Sequence, residues 1–170
     1  MSFSKILVTM LTALAFLALT SCIGEKNPAR DLEVGDKVPE FSVVTSDGTV
    51  VDNISLLGGV SCIMFFNTHC PDCQKTLPQV QMIYDEYLSQ GVSFILISRE
   101  QGDEEVAPYW QECGYTMPYS AQKTREVYEK FAQSRIPRVY ICDKNGIIKS
   151  IFTDNPVPSY SDIKLAIDSL

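Results

Sequence analysis

Cys70-Pro71-Asp72-Cys73 carries the clearest chemistry in this chain. Two thiols separated by two residues can supply half of a zinc site or cycle through a reversible disulfide. A four-thiolate zinc site needs a second C-x-x-C, and Cys62, Cys113 and Cys142 provide none. His69, the chain's single histidine, adjoins Cys70 and is poorly placed to share its metal. Dithiol chemistry is therefore favoured over zinc, and no metal is expected.

Position assigns roles to the two thiols. Val60 to Phe66 is an almost unbroken apolar run, the pattern of a strand buried on both faces. From Pro71 to about Gln90 the spacing of Leu77, Val80, Ile83, Tyr84, Tyr87 and Leu88 is helical, and Gly91 stops it. Cys70 then falls at the helix N-cap. Pro71 takes the first helical position, where a missing N–H costs nothing. Free backbone N–H groups and the positive end of the helix dipole face the Cys70 sulfur and favour thiolate, the attacking species. One turn later, Cys73 is placed to resolve a mixed disulfide. Asp72 opposes thiolate formation, although it is also a good first-turn residue. His69 reads equally well as a proton carrier and as a surface residue beside the loop.

Around this centre, Ser42 to Thr45 and Val50-Val51 form a hairpin across Ser46-Asp47-Gly48-Thr49. Val92 to Ser98 is a second buried strand. Helices are expected at about 103–113 and 124–132. Val139 to Cys142 and Ile147 to Phe152 form strands around Asp143-Lys144-Asn145-Gly146, and Ser159 caps a last helix. Strands alternating with helices give an α/β layer fold, and the closing hairpin makes its sheet mixed. Cys62, Cys113 and Cys142 are expected to be buried and to act as small apolar residues. Trp110 with Tyr109 reads as core packing.

The N-terminus has a different logic. Ile6 to Leu19 is an apolar run of 14 residues preceded only by the charge of Lys5. That length suits a signal-peptide core better than a membrane span of about 20 residues. Leu19-Thr20-Ser21-Cys22 resembles the lipobox of bacterial lipoproteins, which implies cleavage after residue 21 and lipid on Cys22. The expected organisation is a signal peptide at 1–21, a polar tether at 22–33 and one domain at 34–170. Such a lipoprotein would face the periplasm from the inner or the outer membrane, where disulfides can persist.

Among 170 residues, 14 Lys+Arg stand against 21 Asp+Glu, a net charge of −7. This disfavours nucleic acid, whose phosphates need a clustered basic face. No phosphate-cradling glycine motif is present.

Phe65-Phe66-Asn67-Thr68-His69-Cys70-Pro71-Asp72-Cys73, with Pro78 downstream, resembles the active-site strand and helix of thioredoxin-fold proteins. Pro39-Glu40-Phe41, Ile136-Pro137 and the Asp143–Gly146 turn extend the resemblance, over about residues 34–170, to the membrane-anchored TlpA/ResA group of thiol–disulfide oxidoreductases. The resemblance implies a thioredoxin fold, with a mixed central sheet flanked by helices and an added N-terminal β-hairpin. It also implies a cis Ile136–Pro137 bond beside the Cys70 sulfur, leaving the preceding backbone free to pair with an extended substrate. The expected site is thus Cys70, Cys73 and Pro137, supported by His69, Pro71, Asp72 and Ile136. No cofactor is expected beyond the redox-active Cys70–Cys73 disulfide. The expected partners are disulfide-bearing proteins and a membrane or periplasmic thiol reductant.

The chain departs from the expected pattern at several positions. His69 replaces a tryptophan, Thr76 replaces a carboxylate after the second cysteine, and Met64 stands where thioredoxins bury an aspartate. Arg135 and Arg138 flank Pro137 where small residues are usual. They could counter Asp72, attract an acidic partner or be solvated. Two alternatives remain at this level: a peroxiredoxin-like thiol peroxidase and a non-enzymatic binding lipoprotein. The peroxidase pattern P-x-x-x-T-x-x-C is not met, since Thr68 is two residues before Cys70, not three, and position 64 is Met.

Overall fold

The computed structural model describes residues 30–170. The segments expected as signal peptide and most of the tether, with Cys22, lie outside the described residues.

A five-stranded mixed sheet forms the centre, in the order β5-β4-β3-β6-β7. Its strands are β3 (Ser61–Phe66), β4 (Ser93–Ser98), β5 (Tyr119–Ser120), β6 (Arg138–Cys142) and β7 (Ile148–Phe152). β3 runs parallel to β4 and antiparallel to β6. A separate antiparallel pair, β1 (Ser42–Val44) and β2 (Val50–Asp52), precedes it. The helices are α1 (Pro71–Tyr87), α2 (Asp103–Cys113), α3 (Glu126–Glu129) and α4 (Tyr160–Asp168). This is the thioredoxin-fold α/β architecture.

Every residue of β3 is buried, as its unbroken apolar run requires. Successive side chains point to opposite faces. Phe65 meets Tyr128 and Phe131 at ring-centroid distances of 5.3 and 4.9 Å, while Phe66 meets Trp110 at 5.0 Å. Both faces thus grip the end of β3 just before the cysteine loop. α1 buries Leu77, Val80, Ile83 and Tyr87, and α4, which packs against it, buries Ile163, Ala166 and Ile167. After α1, Gly91 adopts φ 82°, a left-handed conformation that glycine takes without strain. Ser159 closes a reciprocal capping box with Asp162 at the start of α4.

Three elements differ from the sequence reading. The helix expected at about 124–132 is helical only over Glu126–Glu129. Tertiary bonds capture the chain beyond it: the Phe131 carbonyl accepts from Leu32 N at 2.9 Å and from the Tyr140 hydroxyl at 3.2 Å. The two-residue β5 was not foreseen, because it is too short to show alternation. It pairs with Leu96 and Ile97, and the first hairpin covers it: Ser46 N donates to Tyr119 O at 2.6 Å and Ser120 Oγ to Val44 O at 2.8 Å. An edge strand covered in this way is closed to further pairing. Finally, Cys113, expected to be buried, is exposed: its spacing puts it on the same side as Val106 and Trp110, but it is the last residue of α2, just before Gly114 ends the helix.

Within the segment read as tether, the described part contacts the domain. Leu32 packs on the core, and Asp31 pairs with Arg138 at 2.6 Å and accepts from Gln133 N at 2.7 Å. Arg138 is therefore a buried structural cation and not a solvated one. Arg135 is exposed, as expected, and stands 3.6 Å from Asp154.

Candidate active site

The loop between β3 and α1 is held by its own side chains and by the segment after β4. Asn67 Oδ1 accepts from His69 N at 2.9 Å, and Asn67 O accepts from Cys70 N at 3.1 Å. Asn67 Nδ2 donates to Arg99 O at 3.2 Å, while Arg99 N donates to Phe66 O at 2.7 Å. Gln101 is the main latch. Its Oε1 accepts from Thr68 N at 2.6 Å and its Nε2 donates to Thr68 Oγ1 at 2.8 Å. Gln101 is almost fully buried, so these bonds satisfy polar groups that water cannot reach.

Cys70 occupies the N-cap of α1 with extended backbone, φ −81° and ψ 117°, and Pro71 follows inside the first turn. Its thiol is half-buried and donates to the Ile136 carbonyl at 3.6 Å. The Ile136–Pro137 bond is cis, as the resemblance implied; a second cis bond, Asn155–Pro156, was not foreseen. Cys73 is fully buried. Burial pushes its thiol far above the ordinary cysteine range, opposed in part by a backbone hydrogen bond from Asn67 and by the charge of Arg99. Cys70 lies close enough for a charge on one sulfur to disfavour a charge on the other.

The supporting residues are placed less centrally. Asp72 forms an ion pair with Lys75 at 2.8 Å, so its charge is partly countered on the surface. The His69 side chain is 76% exposed, with Nδ1 4.0 Å from Glu105 and 3.4 Å from Gln101 Nε2. This favours the surface-residue reading of His69. Thr76 is buried and turns its hydroxyl to Asp72 O at 2.8 Å, and Met64 is buried in β3. Neither supplies an acid near Cys73. Among the described residues, no group of three His, Cys, Asp or Glu side chains could hold a metal.

Two site residues were not singled out from the sequence, Gln101 and Arg99. Both follow β4 at the carboxyl end of two adjacent parallel strands, where α/β sheets place their sites. No sequence motif marks them; the parallel pairing of β3 and β4 does.

The geometry is that of a thiol pair opening a helix beside a cis-proline loop. The family profile described as AhpC/TSA matches residues 34–151. The chain belongs to the AhpC/TSA family. Among curated relatives, the thiol–disulfide oxidoreductase ResA of Geobacillus thermodenitrificans is 24% identical over 97% of this chain and 92% of its own length. Among solved structures, a thiol:disulfide interchange protein of the thioredoxin family from Chlorobium tepidum superposes with a TM-score of 0.69 at 24% identity, covering 82% of this chain and 97% of its own. StoA from Bacillus subtilis gives 0.66 at 22% identity, covering 77% and 98%. These structures share the fold. This AhpC/TSA chain is a ResA-like thiol–disulfide oxidoreductase, with Cys70 and Cys73 as its paired thiols.

Proposed function

We propose that the chain is a membrane-anchored lipoprotein that reduces protein disulfides outside the inner membrane, with Cys70 as nucleophile and Cys73 as resolving thiol. The unequal burial of the two sulfurs carries the reading. Cys70 reaches solvent at the positive end of α1, whereas Cys73 is sealed beneath it. In the first step the Cys70 thiolate attacks one sulfur of a substrate disulfide. The substrate S–S bond breaks, the other sulfur leaves as thiolate and takes a proton, and a Cys70–substrate disulfide forms. Cys73 then loses its proton and attacks Cys70 Sγ, releasing the second substrate thiolate. Two electrons pass from the dithiol to the substrate, and a thiol reductant outside the chain restores the pair. Pro137 and the Ile136 backbone beside Cys70 would seat the substrate strand. Pro71, Asp72 and His69 shape the helix start.

The direction of electron flow rests on the charge placed within the motif. A strong oxidant needs its reduced form stabilised as thiolate. Here Asp72 places a negative charge inside the motif, where an oxidant would benefit from a positive one. Equilibration with glutathione should give a potential nearer about −270 mV than about −180 mV, and Asp72→His should raise it. A value close to about −120 mV would overturn the reductase direction.

The peroxidase alternative gains nothing from the site. Thr68 Oγ1 is engaged by Gln101 and does not serve Cys70. Anchoring rests on the Leu19–Cys22 pattern. Labelled fatty acid should be incorporated into the wild type and not into Cys22→Ala; label retained on the variant would refute lipidation at Cys22.

A further inference from the structure

An open cleft of about 450 Å³ lies beside the Cys70 sulfur, lined by Asn67, His69, Cys70, Arg99, Arg135 and Ile136. Two of these residues are permanent cations and none is an acid, in a chain whose net charge is −7. Each guanidinium has one long ion pair, and Arg99 also interacts with Tyr128. Arg99 Nε stands 3.7 Å from Glu100, and Arg135 Nη1 stands 3.6 Å from Asp154; both separations exceed a hydrogen bond. Arg99 Nε is buried without a hydrogen-bond partner among the described residues. That atom is sealed from solvent, so a carboxylate in the cleft would meet the exposed part of the guanidinium of Arg99, whose side chain is 21% exposed. Arg135 holds its backbone at φ 71°, the left-handed region, which is uncommon for a side chain of this size. Arg99 is braced by the Tyr128 ring, 5.2 Å from its centroid.

We propose that Arg99 and Arg135 form a carboxylate-recognition site beside Cys70, so that the preferred substrates carry an acidic group next to the disulfide that is reduced. The inference rests on the reductase reading and deepens it by naming the substrate class. A guanidinium fork pairs with a carboxylate through two parallel N–H···O bonds, which orient the substrate as well as attract it. The negative surface elsewhere would repel an acidic segment, so the cleft concentrates such segments where exchange occurs. The carboxylate could belong to a protein segment or to a small acidic disulfide.

The test is single-turnover exchange by the pre-reduced full chain, which needs no electron donor. Three disulfide-containing peptides would differ only in flanking Asp, Asn or Lys, and oxidised glutathione would form a fourth arm. The Asp peptide should react about tenfold faster than the Lys peptide at low salt, with the ratio falling toward one at high salt. Arg99→Gln and Arg135→Gln should each shrink the ratio, and Arg135→Glu should invert it. Because the Arg135 side chain is exposed, its variants keep the test intact if Arg99→Gln misfolds. Arginine-dependent reduction of oxidised glutathione without peptide preference would support the site and identify the small disulfide as its source. Equal rates for all three peptides, with oxidised glutathione insensitive to both arginines, would overturn the proposal and leave the reductase reading standing. No exchange with any substrate would remove both.

Discussion

Two cysteine pairs sit within the same sheet-and-helix framework, and their settings are opposites. Cys70 and Cys73 open a helix where the chain leaves the sheet. Cys62 and Cys142 lie inside neighbouring antiparallel strands, one register step apart, and are fully buried. Burial pushes the Cys142 thiol up to about 12 and the Cys62 thiol higher still. Sulfur reactivity is thus decided by location: a helix start and an open cleft on one side, a strand sealed on both faces on the other.

The largest effect should follow from removing either active sulfur. Cys70→Ser and Cys73→Ser should each reduce multiple turnover of a protein disulfide to background, because attack without resolution stalls. Replacing Cys62 or Cys142 with Ala should leave turnover measurable. Loss of activity in a well-folded Cys62→Ala protein would break the comparison.

Alkylation of the reduced native protein should separate the sulfurs next. Cys70 should label fastest, Cys113 at the rate of an ordinary exposed thiol, and Cys62 and Cys142 only through opening of the structure. Mass spectrometry of timed samples would read all four. Early label on Cys62 or Cys142 would contradict their burial.

Gln101→Ala tests what distinguishes the active pair structurally. It strips the latch from Thr68 and leaves the buried Thr68 N–H unsatisfied. A loss of about 1–3 kcal/mol in denaturant unfolding is expected, together with slower exchange at Cys70. An unchanged exchange rate would show that the loop holds its shape without Gln101.

The smallest effect concerns pH. Cys62, Cys73 and Cys142 have folded pKa values above the reference of 9.0. Raised values favour the protonated folded state, so this stability is fully present below about pH 9 and declines as pH rises above it. Tyr119, held up to about 12 by burial, adds a decline in the same direction from its own reference of 10.0. A Cys62→Ala/Cys142→Ala protein should show a shallower fall in thermal midpoint between pH 8 and 10 than the wild type, measured by calorimetry. Equal slopes would show that these thiols are not held protonated by folding.

Periodic patterning made most of this architecture legible. β3 and β4 announced themselves as apolar runs, α1 by its spaced face and its Cys70-Pro71 start, and α4 by Ser159. Cys70, Cys73 and Pro137 were readable as a constellation. What stayed hidden depends on contacts between distant segments. β5 exists only because Leu96 and Ile97 offer it an edge, and α3 is cut short because Phe131 is held by Leu32 and Tyr140. Cys113 shows the limit of periodicity: its spacing puts it on the side of Val106 and Trp110, yet it sits at the helix end and is exposed. Gln101 and Arg99 carry no motif, and their roles appear only once the ends of β3 and β4 are side by side.

The central claim is the division of labour between Cys70 and Cys73, and one measurement addresses it directly. Cys73→Ser and Cys70→Ser proteins would each be incubated with the same disulfide peptide, and the mixed disulfides mapped by tandem mass spectrometry. The account predicts abundant adduct on Cys70 in the Cys73→Ser protein and little adduct on Cys73 in the Cys70→Ser protein. Equal trapping by both, or adduct on Cys73 as the dominant species, would contradict it.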